Sequence, residues 1–413
     1  MNLKKYIFGI FFLCIAAVAV FFSMSKSVYT VYDKNVGHVM HVITADMKHE
    51  RTISWKTADF EEAGYLEVRP KQSGKIIKIK VEAAVLPSYN SGSRFMLYTA
   101  HMDQLMSGTN YEYRIQMGKR QSEWREFQTE PESAAFKALI FGDSQSANYK
   151  DWAETAQLAW ERNQDAAFFI NMGDLVDNGQ DDWQWNAWFD GAGRLLEKIP
   201  AAPVMGNHEA YNLDWKMALP HYYLALFSTP ANGPAGLERY AYSYDYGDVH
   251  FVVLNTQLQE LGEWYPNLLE EQRKWLDKDL ARTAKPWKIV LMHRGVWEYP
   301  FQGPLDEIGE AFVPLFDKYH VNLVFIGHVH SYARTKPMKK GREDSAGTVY
   351  ITTGRSGDKV WDKSPKKPMD EYYYNPLDMP NYLVLEASKD RLKVFGYKQK
   401  GELFDQIEIK AQK

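Results

Sequence analysis

Two hydrophobic rhythms divide this chain. From residue 31 to residue 130, apolar and β-branched residues come in short alternating runs, at 38–44, 51–56, 65–69, 75–83, 94–102 and 124–129, and Pro70, Gly74, Pro87, Asn90 and Gly92 punctuate them. Alternation at period two, broken by turn formers, predicts half-buried strands, and about 100 residues of it predict a small all-β sandwich. Glu130-Pro131-Glu132-Ser133 then reads as a linker. Over 134–413 the rhythm changes. Apolar runs at 136–141, 166–172, 202–205, 249–255, 288–292, 322–326 and 348–353 predict buried strands, while 151–163, 183–198 and 268–280 read as helices with an apolar face. Strands alternating with helices predict an α/β domain of βαβ sheets flanked by helices. Three last runs, 382–386, 391–398 and 404–410, read as antiparallel strands closing that domain.

Composition narrows the function classes. Apolar residues make up 45% and charged residues 25% of the 413, which suits a folded chain with a large core. A net charge of −4 draws no polyanion, so no nucleic-acid partner is expected. The one cysteine, Cys14, lies in the N-terminal apolar run, which excludes an internal disulfide and a thiolate site in the body. The 13 Trp and 26 Tyr read first as sheet packing, with a base- or sugar-stacking surface as the alternative. Residues 1–30 read as a signal peptide or membrane anchor: Lys4 and Lys5 precede an apolar run at 6–22. That run is long for a signal core, and Ser23 and Ser25 make a poor cleavage site, which favours an uncleaved anchor through residues 6–22. The lysines hold the N-terminus inside, so the body is expected on the extracellular side, anchored or secreted.

The candidate chemistry is positional. Five apolar runs end in polar clusters: Gly142-Asp143-Ser144-Gln145, Gly173-Asp174-Leu175-Val176-Asp177, Gly206-Asn207-His208-Glu209, Met292-His293-Arg294 and Gly327-His328-Val329-His330. In open α/β sheets, ligands bind beyond the carboxyl ends of the strands. The glycine before Asp143, Asp174, Asn207 and His328 is expected to let the chain turn sharply there. A capping aspartate or a core histidine accounts for any one ending; five together point to a metal-ligand set.

This series of motifs resembles the calcineurin-like metallophosphoesterase superfamily. The order of sandwich, linker and motif domain, the segment 240–256 and the ending 405–410 resemble its purple acid phosphatase branch, with a fibronectin type III-like N-terminal domain. The resemblance covers nearly all of 31–413. It implies one metal held by Asp143, Gln145, Asp174 and His330, and a second held by Asp174, Asn207, His293 and His328, so that Asp174 bridges. A bridging carboxylate holds two cations at about 3.5–4 Å, suited to clamping attacking and leaving oxygens. The donor types suit manganese, zinc or iron. His328 and His330, two apart on an extended loop, are expected to point to one side. The implied activity is hydrolysis of small-molecule phosphate monoesters by water ionised between the cations. Asp174, Asn207 and His208 are the implied catalytic residues, with His208 contacting phosphoryl oxygens or protonating the leaving alkoxide. The alternatives are a phosphodiesterase or nucleotidase of the same fold and, from another class, a cell-surface binding protein without activity.

Two positions depart from the branch. Gln145 stands where the superfamily has histidine and the purple branch glycine, and Asp177 stands where that branch has its iron-binding tyrosine. These departures argue against a coloured ferric centre and leave the metal pair open. Asp177 reads as support for the loop at Asn178-Gly179 or as an added ligand, and Glu209 as an orienter of His208 or a turn cap. Arg294, Arg355, Tyr211 and Tyr332, together with Arg334, adjoin the motif loops and are candidate substrate contacts. His250 reads as a satisfied core histidine.

Overall fold

The apolar runs pair into two mixed sheets stacked face to face. The computed structural model describes residues 37–58, 64–132, 135–297 and 304–411; the targeting segment expected at 1–30 lies outside the described residues. In the first sheet Phe136–Phe141, Phe168–Asn171 and Ala201–Pro203 run parallel, and Asn381–Ser388, Arg391–Lys398 and Leu403–Lys410 continue it antiparallel from the edge of Phe136–Phe141. In the second, Val249–Leu254, Trp287–Met292, Leu323–Ile326 and Val349–Thr353 run parallel, flanked by Tyr242–Tyr246 on one side and by Tyr332–Thr335 and Asp370–Tyr374 on the other.

The parallel runs are mostly apolar because both of their faces are covered, whereas the closing strands Arg391–Lys398 and Leu403–Lys410 alternate and keep one face towards solvent. Ile140, Phe168, Val204, Phe251, Ile289, Phe325 and Leu383 fill the space between the sheets. Helices Lys150–Arg162 and Asp182–Ala192 cover the outside of the first sheet through Trp152, Trp185 and Trp188. Leu268–Arg282 and Glu307–Tyr319 cover the second through Leu276, Leu280, Phe312 and Phe316. Four layers result, and each side chain fully buried among them contributes roughly 1.5–3 kcal/mol before chain entropy is counted. The stretch expected as one helix at 183–198 is two, because Gly193 breaks it at φ 50 and ψ −127. His250 is buried and paired, with Asp245 at 2.7 Å and Asp279 at 2.9 Å.

The N-terminal strands form the expected sandwich around Ile53, Trp55, Val68, Tyr98, Tyr113 and Ile115. Ile77–Pro87 joins its layers, since Ile77 to Lys80 pair with Val68 to Tyr65 while Val81 to Pro87 pair with Ala100 to Arg94. The sandwich also shares a sheet with the α/β domain. Val42 pairs in parallel with Ala201, and Ile43 N–H donates to the Ala201 carbonyl at 2.9 Å. No described helix is long and apolar enough to cross a membrane.

Candidate metal centre

The parallel strands of both sheets deliver their carboxyl ends to one place. Asp143, Asp174, Asn207, His293 and His330 are all buried there, and His328 and His208 are half-buried at its rim. Asp174, His293 and His328 each offer a ligand atom, and those atoms lie within 4.8 Å of one another.

Close approach, more than turning, explains the glycines. A Cβ on Gly206 would stand 2.2 Å from Asp174 Oδ1, and one on Gly327 would stand 2.4 Å from the Met172 carbonyl. Of the four glycines before Asp143, Asp174, Asn207 and His328, Gly173 has positive φ, at 96°; in these same motifs two ligand candidates are themselves left-handed, Asp174 at 48° and His328 at 65°. Side chains other than glycine adopt that region at a cost of roughly 1–2 kcal/mol, and such strain persists where the surroundings enforce it. The loop carrying His328 and His330 is therefore not extended as expected; the left-handed turn at His328 aims both rings inward.

Hydrogen bonds fix which ring nitrogen faces the centre. His293 Nδ1–H donates to the Met172 carbonyl at 2.8 Å, and His330 Nδ1–H to the Lys359 carbonyl at 2.9 Å. A carbonyl only accepts, so Nε2 of each ring turns its lone pair inward. There His293 Nε2 meets Asp174 Oδ2 and Asn207 Oδ1, both at 3.2 Å, and His330 Nε2 meets Asp143 Oδ2 at 3.1 Å. Acceptors facing one another at such distances repel unless a proton or a metal cation lies between them, so each ring nitrogen here holds one or the other. Asp143 Oδ2 and Gln145 Oε1 are also buried without a hydrogen-bond partner. Gln145 Nε2 lies 3.4 Å from Asp174 Oδ2 and 3.3 Å from His330 Nε2; a flip of its amide presents oxygen at that spot instead. Imidazole, carboxylate and amide oxygens in this arrangement fit a pair of divalent cations.

The field of the site agrees with that fit. Burial raises the Asp174 carboxyl, but the His293 and His208 rings overcome it and hold the group ionised. Burial lowers His293, but Asp174 and Asp143 overcome it and push the ring up to about 9 without metal. Burial, with His293 nearby, pulls His328 down to about 3, leaving it neutral and ready to coordinate. A cation at His293 Nε2 displaces a proton below pH 9, so metal affinity is expected to rise about tenfold per pH unit from about pH 6 to about pH 8 and to level off near 9. Competition against a chelator whose own protonation is corrected for measures this; a flat profile would contradict it.

Glu209 has a different task from either expected one. Its buried carboxylate accepts from the N–H groups of Gly206 at 2.7 Å, Leu175 at 2.8 Å and Asp174 at 3.0 Å, stapling two motif loops together. Burial and the Asp174 charge push it up to about 7, against those donors. His208 is oriented instead by Asp177, whose carbonyl accepts from its Nδ1–H at 2.7 Å. That leaves Nε2 for a ligand. The Asp177 carboxylate pairs with Lys359 and stands 3.3 Å from His208 Nδ1, so it belongs to the orientation of that ring.

The expected substrate contacts divide. Tyr211 and Arg294 stay beside the centre and share Glu260, through Tyr211 Oη at 3.2 Å and Arg294 Nη2 at 2.8 Å. Arg355 is a correction: its buried guanidinium donates to the carbonyls of Pro376 and Gly357 and shapes its own loop. Tyr332 is another, since its buried hydroxyl donates to Asp405 at 2.7 Å, and Arg334 pairs with the same carboxylate. Glu260, Lys359, Trp215 and Trp361 border the centre without any sequence motif to mark them. Trp215 stands 6.1 Å from the His208 ring, and Trp361 stands 5.6 Å from His328 and 5.2 Å from His330.

A double layer of sheets with this donor set at its strand ends defines a metallophosphoesterase. Residues 136–332 match the family described as Calcineurin-like phosphoesterase, and residues 37–129 match Purple acid Phosphatase, N-terminal domain. Purple acid phosphatase 22 of Arabidopsis thaliana is 30% identical over 329 residues, covering 73% of this chain and 68% of that protein. Purple acid phosphatase 21 of the same plant is 28% identical over 364 residues, covering 81% and 75%. The purple acid phosphatase PPD1 from yellow lupin (Lupinus luteus) seeds superposes with a TM-score of 0.80 at 20% identity, over 92% of this chain and 75% of that one, a likeness of fold. The chain belongs to the purple acid phosphatase family. It is by that membership a phosphatase, a hydrolase whose family works with a dinuclear metal centre.

Proposed function

We propose that the chain is an exported dinuclear phosphatase acting on phosphate monoesters of small molecules. The observation that carries this is the convergence of the His293 and His330 Nε2 atoms on carboxylate and amide oxygens, a donor set that fits cations. Asp143, Gln145, Asp174 and His330 would hold one ion and Asp174, Asn207, His293 and His328 the other. When bound, the cations polarise the phosphoryl group and make water acidic enough to act as nucleophile near neutral pH.

The remaining work falls to the chain itself. Glu209 fixes the loops so that Asp174 lies between the two ligand groups. In its protonated form His208, held by the Asp177 carbonyl at Nδ1–H, presents Nε2–H towards the ester, where it contacts phosphoryl oxygens and hands that proton to the departing alkoxide, leaving the neutral ring. Arg294, set by Glu260, places positive charge beside His328. Export rests on Lys4, Lys5 and the apolar run at 6–22.

A monoester carries one more negative charge than a diester, and the Arg294 guanidinium stands beside this centre to meet it. Hydrolysis of p-nitrophenyl phosphate is therefore expected to exceed that of bis(p-nitrophenyl) phosphate by about tenfold or more in kcat/KM, the equivalent of about 1.4 kcal/mol. Parity, or a preference for the diester, would move the assignment to a phosphodiesterase.

A further inference from the structure

We infer that the centre selects phosphate monoesters whose alcohol carries a planar heterocycle, nucleoside monophosphates in particular, and that Trp215 with Tyr211 is the surface on which the base stacks. This rests on the phosphatase reading above and names its substrate class.

The parts of the centre open to solvent are few. Asp143, Asp174, His293 and His330 are buried, whereas His208 keeps 20% of its side chain exposed and His328 lies half-buried. An ester must therefore come in over His208 and His328. An indole stands at each of those two rings: Trp215 at 6.1 Å from His208 and Trp361 at 5.6 Å from His328. Trp361 is half-buried and packs also on His330, so it serves as a wall. Trp215 differs, because 55% of it is exposed.

An exposed indole in a tight turn needs a cause. The turn from Tyr211 to Met217 is closed by a bridge between those two residues, by Asn212 N–H on the Lys216 carbonyl at 2.9 Å, and by the Asn212 side chain, which accepts from the N–H groups of Asp214 and Lys216. It holds Trp215 at a φ of 60°, a region that tryptophan adopts against its own sterics. That costs stability and still leaves more than half of the side chain in solvent, the pattern of strain retained for a ligand. Tyr211 lies 6.2 Å from Trp215 at 46° and 5.7 Å from His208, so the two rings form a corner set 5.7 and 6.1 Å from the His208 ring. A ribose spans that gap and sets its base in the corner, where stacking accepts any base because every base has a π-face.

Adenosine 5′-monophosphate and ribose 5-phosphate test this with the metal-loaded protein, because they release the same class of primary alkoxide and differ in the base. The nucleotide is expected to show a kcat/KM about 5- to 100-fold higher, carried by KM. Trp215→Ala should bring that ratio towards one, and Trp215→Phe should restore much of it. Equal kcat/KM for the two esters, or a ratio that survives Trp215→Ala, would overturn the inference while the phosphatase reading stands. If neither ester nor p-nitrophenyl phosphate is hydrolysed, that reading fails and takes the inference with it.

Discussion

Asp174→Asn is expected to lower phosphate-ester turnover by about a thousandfold or more, equivalent to about 4 kcal/mol of lost transition-state stabilisation, with the fold intact. Asparagine is the appropriate replacement because position 174 has a φ of 48°, which asparagine tolerates far better than alanine. Its side-chain oxygen can still accept from His208 N–H, as Asp174 Oδ1 does at 2.9 Å. What the substitution removes is charge at the one residue assigned to both cations. Metal content should fall with activity, while circular dichroism and the melting temperature stay near those of the parent. A variant that keeps full activity would remove Asp174 from the bridge.

His208→Ala is expected to lower kcat by about 10²- to 10⁴-fold, the range for loss of a positioned acid or base. The loss should depend on the leaving group. An alkyl phosphate needs a proton on its departing oxygen, whereas p-nitrophenolate leaves without one. The deficit should accordingly be greater for an alkyl ester than for p-nitrophenyl phosphate, while metal content is retained, since the His208 ring is held by the Asp177 carbonyl rather than among the ligands. An equal loss for both esters would assign His208 to holding phosphoryl oxygens. No loss would exclude it from the reaction.

Much of the site was legible because ligand position follows from strand position. Asp143, Asp174, Asn207, His293, His328 and His330 each follow a buried parallel strand, and parallel strands end at the same edge of a sheet. That logic concerns the backbone and stops there. Arg355 and Tyr332 adjoin the same loops, yet their side chains turn to Pro376 and Asp405, which adjacency in sequence does not reveal. Glu209 was read from its neighbour His208, but besides Gly206 N–H its partners are the N–H groups of Asp174 and Leu175, more than thirty positions away. Lys359 and Trp215 come from loops with no motif, and Glu260 from the short helix Leu258–Leu261; all three meet the centre through tertiary packing. In the fold, Glu307–Tyr319 is a helix that the apolar pattern did not single out; Pro314 lies inside it, and Asp306 caps it by accepting from Gly309 N–H. The join between the sandwich and the α/β domain was also hidden, because a parallel pair such as Val42 and Ala201 leaves no local signature.

A two-cation centre that hydrolyses phosphate monoesters must lose and regain activity with its metal, so a titration of chelator-treated protein is decisive. Hydrolysis of p-nitrophenyl phosphate is expected to return as manganese, zinc or iron is added and to saturate at two equivalents per chain. Fewer than one bound metal per chain, with no activity restored by any of the three, would contradict it.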